Sequence, residues 1–203
     1  MRVLTDAKRR AILEAASEVF REQGFAGATM TAVAQRVGGS KATLYRYFAS
    51  KELLFLTIMF EATLKHANEV FDALAPSDDL RRTLERFGAS FLALALSDEA
   101  LSVRRMSIAE GARSGIGQVL FERGPKRLWS RMASFLAGEM AAGRLRPAEP
   151  DLVALHLRGL LETDVVNRAL LGAAVDSRPS RLREHAVAAV DALLRAYGPS
   201  GGV

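Results

Sequence analysis

The chain has no cysteine among its 203 residues. That excludes disulfide staples and thiol nucleophiles, and it leaves any metal site to His66, His156, His185 and carboxylates. Long apolar runs are also missing. None approaches the roughly 20 residues that cross a bilayer, and the charged N-terminus has no apolar stretch behind it to read as a secretory leader. These absences predict a soluble, cytoplasmic protein with no membrane partner. Strand-like alternation, long internal repeats and low-complexity tracts are absent too. Enzymatic features are equally scarce. There is no Gly-rich phosphate loop and no activated-serine turn, and His66 with Glu69 makes a helical surface pair rather than a catalytic set. No enzyme activity, catalytic residue, cofactor or metal is expected.

What is present favours helices. Hydrophobic residues make up 49% of the chain but aromatics only 7%, with Ala and Leu supplying much of the rest. The formal net charge is +5, and its distribution says more than its size. Residues 1–60 carry 9 Lys and Arg against 5 Asp and Glu, a net of +4, whereas the other 143 residues carry 19 against 18, a net of +1. The excess positive charge therefore lies in the N-terminal part, where contacts to a polyanion's phosphates would use it.

That part holds the most informative stretch, from Thr29 to Lys51. Thr29 can cap a short helix with apolar positions Val33, Ala34 and Val37, and Gly38-Gly39 stops it, since glycine accepts the left-handed backbone at a helix end. Ser40 can then cap a second helix, Lys41 to Phe48. Leu44 and Phe48 are four apart and face inward, while Lys41, Thr43, Tyr45, Arg46 and Tyr47 form a polar, aromatic and basic outer face. A short helix with such a face, held across a preceding helix, is how a helix-turn-helix places its second helix in the major groove of DNA. Lys41 and Arg46 are the candidates for guanine edges or phosphates, and Ala42 permits close approach or contact with a thymine methyl. Thr43 and Tyr45 can reach bases or backbone. Thr31 and Ser40 lie where helix N-termini favour phosphate. Ser40 as a cap alone and Tyr45 as partly core are the structural alternatives.

The run Gly39-Ser40-Lys41-Ala42-Thr43-Leu44-Tyr45-Arg46-Tyr47-Phe48, followed by Ser50-Lys51-Glu52-Leu53-Leu54, resembles the head of TetR-family transcriptional regulators. It departs at Gly39, where the family more often has an apolar residue. The resemblance implies that Tyr47 and Lys51 hold phosphates. It also implies a dimeric repressor whose two heads occupy successive major grooves of a palindromic operator, released when a small molecule binds the body. A helix-turn-helix protein without such a ligand, or an activator, is the alternative.

The rest of the chain reads as further helices. The first begins near Asp6, where Thr5 or Asp6 can cap it, and ends at Gly24. The fourth starts at Ser50 and keeps its apolar period to Leu74. Ser77-Asp78-Asp79 opens the next, Ser97 caps another, and Gly111, Gly115 and Gly117 mark an irregular or mobile segment. Helices over 126–142, 151–171 and 180–197 follow. Phe91 to Ser97, Arg104-Arg105 with Ala109-Glu110, and Phe121-Glu122-Arg123-Gly124-Pro125 resemble the AefR-like C-terminal domain found in part of the same family. The expected fold is all-α, about nine helices, with a three-helix DNA-binding head over residues 1–50, a helical regulatory and dimerisation domain over 51–197 and a disordered tail over 198–203. The last two helices carry more apolar surface than one packed face uses. This predicts either a homodimer through a four-helix bundle or a large internal core. For a small apolar or amphipathic ligand, the candidate lining residues are Phe60, Phe87, Phe91, Met106, Phe121, Trp129 and Met132, with His66, His156 and Asn167 as polar groups.

Overall fold

The computed structural model describes residues 5–75 and 79–199, without the side chains of residues 112–114. Ser77 and Asp78, expected to open a helix, and residues 200–203 of the expected disordered tail lie outside the described residues. The chain forms two compact units, Met1–Ala62 and Thr63–Val203.

The first unit contains α1 (Asp6–Gly27), α2 (Met30–Arg36), α3 (Lys41–Tyr47) and the start of α4 (Lys51–Asp72). Each helix begins where a side-chain oxygen can take an orphan backbone N–H: Thr5 for α1, Thr29 for α2, Ser40 for α3 and Ser50 for α4. The chain bends at Gly24 (φ +67°), where the sequence places the end of α1, and then adds one more turn to Gly27. That turn brings Phe25 to 6.0 Å from Phe20 and 4.9 Å from Phe55, ring centroid to ring centroid. Ile12, Ala16, Val19, Phe20, Val33, Leu44, Phe48 and Leu54 fill the small core. Because Leu54 and Phe55 of α4 pack there, this unit extends beyond the expected boundary at residue 50.

The second unit contains the rest of α4 and then α5 (Leu80–Ala95), α6 (Asp98–Ser114), α7 (Ile116–Arg123), α8 (Pro125–Ala141), α9 (Pro150–Glu162), α10 (Val165–Leu170) and α11 (Pro179–Tyr197). Among the described residues there is no strand, so the all-α expectation holds, with eleven helical segments instead of about nine. None of these helices is long and apolar enough to cross a membrane. The single helix expected over 151–171 is divided at Thr163 and Asp164. Asp164 has φ +60°, strained for a residue with a side chain, and Thr163 returns its hydroxyl to the Gly159 carbonyl. Of the glycines from 111 to 117, expected to mark an irregular or mobile segment, Gly115 breaks the helix, whereas α6 continues through Gly111 and α7 starts before Gly117 and crosses close by. A Cβ built on Gly117 would lie 3.1 Å from Gly111 Cα, so these two residues permit a tight helix crossing.

The core of this unit is assembled on α5. Leu84, Phe87, Phe91 and Leu92 meet Phe71 of α4, Trp129, Met132 and Leu136 of α8, Leu157 and Leu161 of α9, and Ala186, Val190 and Leu193 of α11. One face of α9 is buried through Val153, Ala154, Leu157 and Leu161, while Leu152 and Leu155 on the other face stay 47% and 55% exposed.

Candidate nucleic-acid interface

The geometry of α3 follows from its cap and its two anchors. Ser40 Oγ accepts the Thr43 backbone N–H at 3.0 Å and lies 2.9 Å from Thr43 Oγ1. Leu44 and Phe48 are buried in the head core. With that side fixed inward, Lys41, Ala42, Tyr45 and Arg46 are exposed on the other, and Thr43 and Tyr47 are half-buried at its edges. Tyr45 is 45% exposed and lies outside the head core. Thr31 is exposed in the first turn of α2. The turn between α2 and α3 uses Gly38 at φ +64°. Its neighbour Gly39 has room for a side chain, since an added Cβ would meet nothing closer than Val37 Cγ1 at 3.5 Å.

Two of the expected phosphate ligands also have an internal task. The Tyr47 hydroxyl accepts the Thr5 backbone N–H at 3.0 Å, tying the start of α1 to the end of α3. Lys51 Nζ donates to the carbonyls of Phe25 (2.8 Å) and Ala28 (3.1 Å) and sits 4.4 Å from the Phe25 ring centroid. Tyr47 keeps its own hydroxyl proton and Lys51 a third N–H, so both retain a donor.

Further charged groups brace the motif, and the sequence reading did not single them out. Arg36, at the end of α2, donates to Glu18 at 3.0 Å and to Glu22 at 2.6 Å on α1. Those hydrogen bonds hold the Glu22 carboxyl below its ordinary range and the Arg36 guanidinium above its own. Lys8 Nζ reaches the Val37 carbonyl at 3.4 Å. Arg9 pairs with Glu61 at 3.3 Å and lies 5.5 Å from the Phe48 ring centroid. The signal for Arg36 was local in part: Glu18 and Glu22 are one helical turn apart and make a ready fork for a cation. What the sequence did not give was the crossing that brings α2 to them. Lys8, Arg9, Arg36 and Lys51 are thus engaged within the head, and α3 presents Lys41 and Arg46 on its outer face.

Among the described residues, the ligand-lining candidates fall in different surroundings. Phe87, Phe91 and Trp129 interlock edge-to-face with Phe71, the Trp129 ring lying 5.3 Å from Phe91 and 5.5 Å from Phe71, and Met132 is fully buried beside them, so they are packed core. Phe60 belongs to the first unit. Met106 is half-buried on α6, and Phe121 is 47% exposed on α7. Asn167 is exposed on α10, and His156 is a surface residue whose Nδ1 lies 2.6 Å from the Tyr197 hydroxyl. Helical spacing tells which residues share one face of their own helix, but not which faces meet. Phe87 also borders an open cleft of about 340 Å³, which His66, Glu69, Thr83 and Arg86 line with it.

Comparison with known proteins agrees with this division. Residues 12–58 match the family model described as bacterial regulatory proteins of the TetR family, and residues 82–199 match the AefR-like transcriptional repressor C-terminal domain. The HTH-type transcriptional regulator RutR of Escherichia coli K12 is 29% identical over 151 residues, which span 71% of this chain and 68% of RutR. A TetR-family transcriptional regulator of Mesorhizobium loti MAFF303099 superposes with a TM-score of 0.77 at 27% identity, covering 97% of this chain and 100% of that one. The flavonoid-responsive regulator FrrA superposes with a TM-score of 0.74, also at 27% identity, over 97% of this chain and 100% of its own. With a helix-turn-helix head and an AefR-like body matched in order along most of its length, the chain belongs to the TetR family of transcriptional regulators.

Proposed function

We propose that the protein is a homodimeric repressor in the cytoplasm that binds a palindromic operator through α3 and leaves it when a small molecule binds the second unit. The observation that carries this reading is the outer face of α3. Lys41, Ala42, Tyr45 and Arg46 are exposed together on a capped helix anchored by Leu44 and Phe48. Arg46 can bond two acceptors of a guanine, Ala42 admits close approach, and Lys41, Thr43 and Tyr45 reach bases or backbone. Thr31, Ser40, Tyr47 and Lys51 then supply phosphate contacts that set register.

Repression accords with the body's match to the AefR-like transcriptional repressor domain, and control by a small molecule accords with the similarity to the flavonoid-responsive regulator FrrA. Dimerisation draws support from Leu152 and Leu155, which leave an apolar stripe on α9. A second copy covering that stripe and α11 makes a four-helix bundle, and two-fold symmetry then asks for half-sites about one DNA turn, roughly 34–36 Å, or a multiple of it, apart. The helix α4 spans residues of both units and is the natural transmitter. A tenfold loss of operator affinity needs about 1.4 kcal/mol of coupling, within the ordinary allosteric range.

Arg46→Ala tests the assignment. Titration of operator and scrambled DNA by fluorescence anisotropy at several salt concentrations is expected to show a loss of about 1–3 kcal/mol on the operator with little change on scrambled DNA. An equal loss on both, with a shallower salt dependence, reassigns Arg46 to phosphate. Unchanged binding to both removes it from the interface.

A further inference from the structure

A second feature of the body is set apart by its arginines. Most guanidiniums of the second unit are engaged: Arg81 with Asp191, Arg104 with Glu162, Arg131 with Asp72, Arg144 with Glu139 and Arg178 with Asp176. The side chains of Arg82, Arg86 and Arg183 have no hydrogen-bond or ion-pair partner among the described residues. All three border one groove of about 830 Å³ between α5 and α11. That volume lies within the range of small-molecule sites.

The two helices run antiparallel. A Cβ on Gly88 would lie 3.0 Å from Ala186 Cβ, and Arg81 pairs with Asp191. Arg82 and Arg86 therefore stand one turn apart at the N-terminal end of the α5 wall, and Arg183 stands on the α11 wall beyond Ala186, alongside the C-terminal half of α5. Between them lie Ala89 and Ala93 on α5, then Leu96, with Leu182 and Val187 opposite, and Ser90 and Ser97 add hydroxyls to this mainly apolar floor. From Arg82 to Leu96 the α5 wall measures about 21 Å at 1.5 Å per residue. The charged lining residues are Arg82, Arg86 and Arg183 against Glu85 and Asp98, a net of +1.

We infer that this groove binds a single-chain carboxylate amphiphile, its head held by Arg82 and Arg86 and its chain lying over Ala89, Ala93 and Leu96. Two guanidiniums one turn apart match the oxygens of a carboxylate, the net charge of the lining matches a monoanion, and the length of the floor suits an extended chain. The site is separate from the packed aromatic core and deepens the proposal of a ligand-controlled repressor, on which its regulatory meaning rests.

The test uses the full chain and laurate, titrated calorimetrically below its aggregation concentration, with dodecyl maltoside and dodecyltrimethylammonium as uncharged and cationic counterparts and dodecyl phosphate as the alternative anion. Laurate is expected to bind at least tenfold tighter than either counterpart, and both R82A/R86A and the groove-filling Ala93→Trp are expected to weaken it at least tenfold, while Arg127→Ala on α8 leaves it unchanged. Equal binding of dodecyl maltoside, or laurate binding untouched by both groove variants, overturns the assignment. Tighter binding of dodecyl phosphate overturns the carboxylate choice. Sedimentation of R82A/R86A as a monomer where the parent is a dimer overturns it as well, making the groove a subunit contact. Operator binding is measured alongside. Laurate bound in the groove with operator affinity unchanged keeps the site and removes its inducing role, whereas loss of the site in the variants with normal operator binding leaves the DNA-binding reading intact.

Discussion

Replacing Trp129 by alanine is expected to destabilise the second unit by about 3–5 kcal/mol, the range for deleting a large aromatic side chain from a core. Trp129 is the only tryptophan of the chain and is 7% exposed. Its ring meets Phe71, Phe87 and Phe91 edge-to-face at 5.5, 6.3 and 5.3 Å, and the Arg158 guanidinium lies 5.8 Å from its centroid. Edge-to-face packing puts the positive ring edge of one residue on the negative face of the next, adding about 0.5–1.5 kcal/mol per pair beyond area burial. The partners come from α4 and α5, whose backbones are fixed by other contacts, so the void cannot close by the movement of one side chain. Urea unfolding followed by circular dichroism measures the loss, since the variant has no tryptophan fluorescence. Trp129→Phe should retain more than half of the lost stability. If Trp129→Ala costs less than about 1 kcal/mol, the aromatic cluster is not the centre of this core.

Arg144→Ala is expected to cost about 2–4 kcal/mol, somewhat below the usual figure for breaking a buried ion pair because Arg144 itself is partly solvated. Glu139 is 2% exposed near the end of α8. Its carboxylate accepts from Arg144 Nε and, at 2.9 Å, from Arg144 Nη2, a two-pronged fit, while its own carbonyl takes the backbone N–H of Arg144 at 2.9 Å. The pair thus closes the turn that leads from α8 towards α9. Removing the guanidinium leaves a carboxylate on a residue that is 2% exposed without this counter-charge. A double variant, Glu139→Met with Arg144→Ala, should recover part of the loss. Equal destabilisation in the single and double variants would show that the alkyl stem of Arg144 matters and its charge does not.

The parts of the molecule that were legible in the sequence are those set by local chemistry. Thr5, Thr29, Ser40 and Ser50 cap helices because a hydroxyl two or three residues before an N–H needs no distant partner. Gly38 turns the chain for a similar reason. The outer face of α3 was readable because Leu44 and Phe48 fix its inner face, and a seven-residue helix has few ways to point the rest. What was not legible needed knowledge of which elements meet. Lys51 reaches carbonyls at Phe25 and Ala28, and His156 finds Tyr197, 41 residues away, with no local pattern announcing either. The ligand set shows the same limit: Phe87, Phe91 and Trp129 converge on Phe71 of α4, a meeting that no spacing within one helix announces. The break at Asp164 had no warning because the residues around it, from Leu160 to Leu171, are compatible with one continuous helix.

We propose that α3 reads DNA as one of a symmetric pair. Selection of bound sequences from a random duplex pool, using the full chain at physiological salt, tests it most directly. The expected result is enrichment of an inverted repeat with half-site centres about one DNA turn apart or a multiple of it, and loss of that enrichment when Lys41 and Arg46 are both replaced by alanine. A pool left unenriched, or an enriched sequence unaffected by those two replacements, would contradict it.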